Sequence, residues 1–217
     1  MTQHDPYVYQ RLSSTNDPSF NDFYRIYADS IRPSEAKTEA QIAAMLSRFD
    51  YFVLLMKKSG IVVGFTVLYV PKEQGFCLLE YMAVHREYRN AGIGTSLLRT
   101  AVRTVQAEHG DIPILLEVDS ECESSSDHIS RKVRKQFYRK NGCLQVKNLS
   151  YHLPLDNNGT QPEMDLMMYT SPTTISIPKK ELERWLRLIY ESVYSRSPRD
   201  RRIDQMLIDV TDPIELI

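Results

Sequence analysis

Hydrophobic and polar residues follow two kinds of pattern along the chain, one typical of strands and one typical of helices. Together they predict strands alternating with helices. Runs rich in β-branched and aromatic residues, bounded by turn residues, are typical of strands. The predicted strands up to residue 118 are Tyr7–Leu12, Tyr51–Met56, Ile61–Val70, Phe76–Val84 and Ile112–Val118. Leu144–Leu155 and Asp165–Tyr169 predict a closing hairpin.

Apolar residues at helical spacing predict the helices between these strands. The first helix stops before Pro33, and the second begins at a capping box at Thr38–Gln41 and continues its apolar face to Phe49. A third helix follows Gly94, and a fourth spans Asp127–Lys140. On the fourth helix one face is apolar and the rest is predicted to be a solvated basic array. The apolar face is Ile129, Val133 and Phe137, and the basic array is Arg131, Lys132, Arg134 and Lys135.

A further amphipathic helix opens at Pro178, beyond the closing hairpin. Its apolar face consists of Leu182, Trp185, Leu186, Ile189 and Val193. We therefore expect a mixed α/β (α+β) domain at residues 1–171 and a C-terminal helical extension at 172–217 packed on it. There are two alternatives for this extension: it forms the interface of a homodimer, or it acts as a substrate lid.

Composition excludes several classes of function. The 27 basic residues balance 28 acidic ones, giving a formal charge of −1, so we expect no nucleic-acid partner. The chain begins without a signal-like segment and has no apolar run that could span a bilayer, which predicts a cytoplasmic protein with no membrane partner. Three cysteines, Cys77, Cys122 and Cys143, lack metal-like spacing and predict reduced thiols and no metal site.

The stretch Arg89–Gly94 lies between a predicted strand and a predicted helix. A glycine-rich turn that opens a helix offers free backbone N–H groups and the positive end of a helix dipole, which suit a pyrophosphate. The dinucleotide fingerprint would need a third glycine where Leu97 stands, and the Walker motif would need a Gly-Lys-Ser/Thr ending. Neither nucleotide motif is present.

The pattern that fits is Arg-x-x-Gly-x-Gly after the strand Leu-Glu-Tyr-Met-Ala-Val, at Leu79–Gly94. With Phe137–Gly142, it resembles the GNAT superfamily of N-acetyltransferases. The resemblance implies a central mixed sheet of about seven strands flanked by helices, with an extra C-terminal helix, and acetyl-CoA as acyl-donor cosubstrate. It implies pantetheine contacts from the backbone of Met82, Ala83 and Val84. It also implies a phosphate cradle from Arg89, Asn90, Ala91, Gly92, Ile93, Gly94 and Thr95.

The same resemblance implies catalytic residues. Tyr138 corresponds to the tyrosine that faces the CoA sulfur and is the candidate acid. Glu80 and Glu117 are candidate bases because each interrupts an apolar strand, where a carboxylate is costly without a partner or a role. An ion-paired strand residue is the alternative for each, and Glu80 ranks slightly first.

These features predict an acetyl-CoA-dependent N-acetyltransferase in which a primary amine attacks the thioester directly. A small molecule or amino-acid-like amine is the first choice of acceptor, and a protein amino terminus or lysine is the second. A non-catalytic acyl-CoA-binding regulatory module and a transferase of longer acyl chains are further alternatives. Acceptor choice is expected to depend on the first two helices, Asp119–Asp127, Asn157–Glu163 and the tail. The serine-rich Asp119–Asp127 departs from the family, so no asparagine contact to CoA is expected there.

Overall fold

The computed structural model describes residues 7–121, 128–155 and 163–217. The predictions about Cys122, the helix start at Asp127 and most of Asn157–Glu163 lie outside these ranges. The chain divides into two compact units. The first contains the described residues up to Lys72 and Leu79–Gly110, and the second contains Glu73–Leu78 and the described residues from Asp111 to Ile217. The domain boundary at 171/172 stays a prediction.

The mixed α/β fold class is confirmed. Among the described residues, six α-helices accompany a main sheet of eight strands, most of whose pairs are antiparallel, and a small two-stranded sheet. In the first unit the elements are β1 Tyr7–Leu12, α1 Phe20–Ser30, α2 Glu39–Leu46, β2 Tyr51–Lys58, β3 Ile61–Tyr69, most of β4 Cys77–Val84, and α3 Ile93–His109.

The strands of the first unit follow the order β1-β2-β3-β4. β2 pairs antiparallel with β1 and with β3, and its residues Tyr51–Met56 are all buried. α1 packs on β3 through an apolar face in which the Phe23 ring meets the Phe65 ring edge-on at 4.9 Å. Burial of β2 on both faces explains why it reads as a continuous apolar run.

Gly64 in β3 allows a close approach between β3, β4 and α3. A Cβ atom at this position would lie 2.7 Å from Leu97 Cδ1 and 2.9 Å from the Ala83 carbonyl oxygen. Both contacts are too short for any side chain. The glycine therefore sets how closely the helix that follows the glycine turn packs on the sheet.

The capping box of α2 forms as predicted, but the apolar face does not reach Phe49. Thr38 accepts a hydrogen bond from the Gln41 N–H and donates its own N–H to the Gln41 side chain. The helix ends at Leu46, and Phe49 is 82% exposed in the turn before β2. The prediction for Phe49 was wrong because the chain turns before the helical period can bring that residue to the core.

The second unit contains the start of β4 and every element from β5 onward. The bounds are β5 Ile114–Asp119, α4 His128–Lys140, β6 Cys143–Gln145, β7 Tyr151–His152, β8 Glu163–Tyr169, β9 Ser176–Ile177, α5 Lys179–Ser192, α6 Arg201–Leu207 and β10 Ile214–Glu215. β8 pairs antiparallel with β5, β6 and β7. The predicted strand Leu144–Leu155 is thus two short strands, interrupted near Asn148, which has a positive φ of 58°.

α4 buries two of the four basic residues that the sequence predicted to be solvated. Ile129 and Val133 are 77% and 59% exposed, whereas Arg131 and Lys135 are 6% and 5% exposed. Lys135 pairs with Asp165 at 2.7 Å, and Arg131 donates to the Ser120 carbonyl at 3.4 Å. The prediction was wrong for Arg131 and Lys135, because acidic and carbonyl partners on other elements stabilise their charges. Lys132 and Arg134 are exposed, as predicted.

The C-terminal extension packs within the second unit. The predicted apolar face of α5 is buried, from Leu182 at 0% to Val193 at 8% exposure. Trp185 Nε1 donates to the Gln74 carbonyl at 3.2 Å, and the backbone of Ile217 exchanges hydrogen bonds with Gln145 at 2.7 and 2.9 Å. The sequence missed α6 and the β9–β10 pair, which are too short to show a period.

Within the described ranges, no helix combines the length and the apolar composition needed to cross a bilayer. The cytoplasmic location and the lack of nucleic-acid and membrane partners stay predictions.

Candidate functional site

The glycine turn connects the end of β4 to α3 through a short 3₁₀ turn at Arg86–Tyr88. Asn90 and Gly92 both adopt left-handed conformations, with φ of 64° and 76°. Gly92 caps α3 without a side-chain hydrogen bond, and the first turn of the helix contains no acidic residue. The first N–H groups of a helix have no acceptor within it, so this end carries available donors and a positive partial charge.

Exposure of the predicted cradle is graded along the turn. Asn90, Ala91 and Gly92 are exposed, Gly94 and Thr95 are half-buried, and the Ile93 side chain is buried. Ile93 belongs to an apolar cluster with Met56, Val63 and Leu97, against which Met82 and Val84 pack. In the strand segment predicted to contact pantetheine, the side chains of Met82 and Val84 therefore pack on the apolar core. Ala83 is also buried, at 8% exposure.

Arg89 folds back toward the strand that precedes it. Its side chain is exposed, and its Nε donates to the Val84 carbonyl at 3.1 Å. The guanidinium is therefore held at the end of β4, near the opening of α3. The same contact occupies a carbonyl of the strand segment that the sequence assigned to pantetheine.

Glu80 in the first unit forms a buried ion pair. The Lys37 ammonium donates to Glu80 Oε1, and the two side chains are 18% and 2% exposed. Within the described residues Glu80 Oε2 is buried without a hydrogen-bond partner. Burial raises the pKa of the Tyr51 hydroxyl, and the negative charge of Glu80 raises it further.

The Glu80–Lys37 pair also fastens the segment between α1 and α2 to β4. The Lys37 N–H donates to the Tyr27 hydroxyl at 2.7 Å, and the Tyr81 hydroxyl donates to the Glu35 carbonyl at 2.9 Å. The Tyr27 and Tyr81 rings meet edge-on at 5.2 Å. This segment precedes the second helix, which the sequence implicated in acceptor choice.

Glu117 in the second unit is held by two tyrosine hydroxyls. Tyr151 of β7 donates to Glu117 Oε1, and Tyr194, just beyond α5, donates to Oε2 at 2.5 Å. Glu117 is half-buried and Tyr151 is fully buried. Burial, and then the charge of Glu117, raise the pKa of Tyr151 well above its usual value, so this phenol stays a proton donor.

Tyr138 lies on the buried face of α4, also in the second unit. Its side chain is 9% exposed, and the Phe137 ring contacts it edge-on at 5.2 Å. Burial raises the pKa of the Tyr138 hydroxyl to about 12, although the charge of Arg134 acts in the opposite direction. Arg134 in turn pairs with Asp119 at the end of β5.

The structure places Glu80 and the glycine turn in the first unit, and Glu117 and Tyr138 in the second. Sequence reasoning missed Lys37, Tyr151 and Tyr194 as partners of the two glutamates. Only the spacing of Tyr190 and Tyr194, one helical turn apart on a predicted helix, hinted that the tail carries paired phenols. The roles of the predicted site residues stay predictions.

The family described as "Acetyltransferase (GNAT) domain" matches residues 48–142, which include the glycine turn, Glu80, Glu117 and Tyr138. No curated protein sequence matches the chain.

Three solved structures illustrate the shared fold. A protein assigned to the GNAT acetyltransferases from Bacteroides thetaiotaomicron has a TM-score of 0.69 at 19% identity and covers 86% of this chain and 98% of its own. An aminoglycoside 6′-N-acetyltransferase complexed with coenzyme A has a TM-score of 0.57 at 19% identity, covering 77% and 99%. The ribosomal-protein-S18-alanine N-acetyltransferase from Escherichia coli has a TM-score of 0.53 at 16% identity, covering 77% and 98%.

The family match and the fold agree with the glycine turn that opens α3. Residues 48–142 therefore match the GNAT acetyltransferase domain, and this match confirms the resemblance and the enzyme class that the sequence predicted.

Proposed function

We propose that the protein transfers the acetyl group of acetyl-CoA to a primary amine of a small molecule or amino-acid-like acceptor. The observation that carries the proposal is the left-handed Asn90 and Gly92 turn at the start of α3, inside the family match. Its free N–H groups and the helix dipole suit the pyrophosphate of CoA. The bound thioester supplies an activated acetyl carbonyl.

The reaction needs one proton acceptor and one proton donor. An alkyl ammonium with a pKa of about 10.4 is mostly protonated at neutral pH, so a base must first remove a proton from the acceptor. The amine nitrogen then bonds to the acetyl carbon while the carbon–sulfur bond breaks. A donor beside the sulfur completes the thiol product, and the second proton that the nitrogen loses as the amide forms replaces the proton that the donor gave.

Tyr138 is proposed as the donor. Because burial raises its pKa to about 12, the hydroxyl keeps its proton throughout the neutral range. A phenol in this state can protonate a developing thiolate.

The contacts favour Glu117 over Glu80 as the base, which reverses the order suggested by the sequence. A proton on Glu80 would neutralise the partner of Lys37 and leave a largely buried ammonium without its counter-charge. Glu117 instead accepts hydrogen bonds from the hydroxyls of Tyr151 and Tyr194, so a proton on its carboxylate does not remove the counter-charge of either partner. We therefore propose that Glu80 fastens the α1–α2 segment.

A protein or peptide amino terminus is the second candidate acceptor. Glu117 lies in Leu-Glu-Val, the strand pattern that resembles acetyltransferases of protein amino termini, and one structural neighbour is an enzyme of that kind. The two acceptor classes differ in the length of chain that follows the amine.

Release of free CoA thiol in the presence of a panel of small amines, amino acids and short peptides tests the proposal. We expect acetyl-CoA turnover to depend on one class of amine. Glu117→Gln should lose activity near neutral pH and partly recover as the pH rises, because the free amine then becomes abundant without a base.

Glu80→Gln is the matched comparison. It should lower the melting temperature because Lys37 loses its counter-charge, while the shape of the pH–rate profile stays that of the wild type. Binding of acetyl-CoA without release of thiol by any amine would instead favour the non-catalytic module.

A further inference from the structure

Tyr194 connects the C-terminal extension to the proposed base. Its hydroxyl donates to Glu117 Oε2 at 2.5 Å, although the two residues lie 77 positions apart. We propose that Tyr194 is a positioning residue for the Glu117 carboxylate, an inference that rests on the proposed function. The C-terminal extension is then part of the acetyl-transfer site. The Tyr194 side chain is half-buried, so water has partial access to it.

The turn that carries Tyr194 is fixed on both sides. One helical turn earlier, the Tyr190 hydroxyl donates to the His152 carbonyl at 2.5 Å. Two residues later, Arg196 Nε donates to the Pro154 carbonyl at 2.8 Å, and the Arg196 N–H donates to the Tyr190 carbonyl at 2.8 Å. Ser195 between them takes a left-handed φ of 55°. The Arg196 contacts, which do not use the Tyr190 hydroxyl, orient the phenol of Tyr194 before any ligand binds.

Two phenol donors have a definite effect on one carboxylate. Tyr151 and Tyr194 each bind a different oxygen, so together they fix the rotation of the carboxyl group. Hydrogen bonds to the charged form of an acid favour that form. Removing one donor should raise the pKa of the Glu117 carboxyl and free it to rotate.

Tyr194→Phe and Tyr190→Phe form a matched pair. Both remove one hydroxyl from tyrosines at the end of α5, but only the first hydroxyl touches Glu117, whereas the second binds a backbone carbonyl. A purely structural effect of losing a phenol hydroxyl would therefore occur in both variants.

The first measurement does not need catalysis. ¹³C-labelled glutamate carboxyls are titrated by NMR in the full chain, with the Glu117 signal assigned by its absence in Glu117→Gln. We expect the Glu117 carboxyl to titrate about one pH unit higher in Tyr194→Phe and at the wild-type pH in Tyr190→Phe. An unchanged signal in Tyr194→Phe would overturn the inference.

The second measurement is kcat/KM against pH with an amine that the wild type acetylates. The rising limb should move to higher pH by the same amount in Tyr194→Phe alone. A carboxyl that shifts while the rate profile stays in place would overturn the positioning role. A wild-type chain that binds acetyl-CoA and acetylates no amine would contradict the proposed function, and the NMR shift would still support the contact.

Discussion

Glu80 and Glu117 are the same side chain on two strands, and their partners give them different chemistry. Glu80 faces an ammonium and cannot be neutralised without stranding that charge. Glu117 accepts hydrogen bonds from the hydroxyls of Tyr151 and Tyr194. A carboxylate on an apolar strand is therefore only a candidate base until its partners are known.

Gly92→Asp should abolish measurable binding of acetyl-CoA. No atom lies within 4 Å of the space a Cβ would occupy, so the loss would come from a negative charge in the phosphate cradle and from backbone strain. Gly60→Asp is the control, because Gly60 has a similar φ of 84° and the same open space in the β2–β3 hairpin. Calorimetry should show wild-type affinity in Gly60→Asp; equal affinities in both variants would contradict the cradle.

Tyr138→Phe should lower turnover by about 10²- to 10⁴-fold while acetyl-CoA affinity stays nearly constant. The hydroxyl matters only as the thiolate develops, so ground-state binding does not depend on it. Steady-state kinetics with calorimetry on the same preparation measure both quantities. A loss smaller than about threefold would exclude Tyr138 as the proton donor.

Among the helices, α4 departs most from its sequence pattern, because it buries cations and exposes two aliphatic residues. Lys135→Met should destabilise the fold by about 3–5 kcal/mol, since Asp165 would be left buried without its ammonium. Val133→Ser should change the free energy of unfolding by less than about 0.5 kcal/mol, because Val133 is exposed. Urea unfolding of the two variants distinguishes the faces, and a larger loss from Val133→Ser would restore the pattern predicted by the sequence.

The sequence predicted the elements that have a clear period or a local cap, such as β2, the capping box of α2 and the apolar face of α5. It could not predict which face of α4 is buried, because the carboxylate of Asp165 lies on a strand 30 positions away from Lys135. For the same reason it identified Glu117 but not Tyr194, which approaches only after the tail folds back.

In the part of the chain that the structure describes, five buried tyrosines share a raised pKa, and burial is the largest cause for each. They are Tyr27, Tyr51, Tyr138, Tyr151 and Tyr190. In the unfolded chain these phenols titrate near their usual pKa of about 10. Above that pH the unfolded state binds fewer protons than the folded state, so stability must fall as the pH rises.

We therefore expect the free energy of unfolding to be nearly constant below pH 9 and to fall between about pH 10 and 12, by up to about 1.4 kcal/mol per pH unit for each tyrosine. The melting temperature should fall over the same range. Thermal unfolding followed by circular dichroism, with ultraviolet absorbance of tyrosinate recorded in parallel, checks this. Tyrosinate that forms fully before the fold melts would contradict the shared burial.

The short segment Glu73–Leu78 is separated in sequence from the rest of the unit to which it belongs, and this can be tested by fragment complementation. It belongs to the second unit, where the Gln74 carbonyl accepts from Trp185 and Arg184 and the Phe76 ring lies 5.6 Å from that of Trp185. If the chain is cut between Gly110 and Asp111, the fragment of residues 111–217 contains Trp185 but lacks Gln74 and Phe76. In that fragment alone, Trp185 should fluoresce at the longer wavelength of a water-exposed indole. Adding a fragment of residues 1–110 would return the missing segment and shift the emission back.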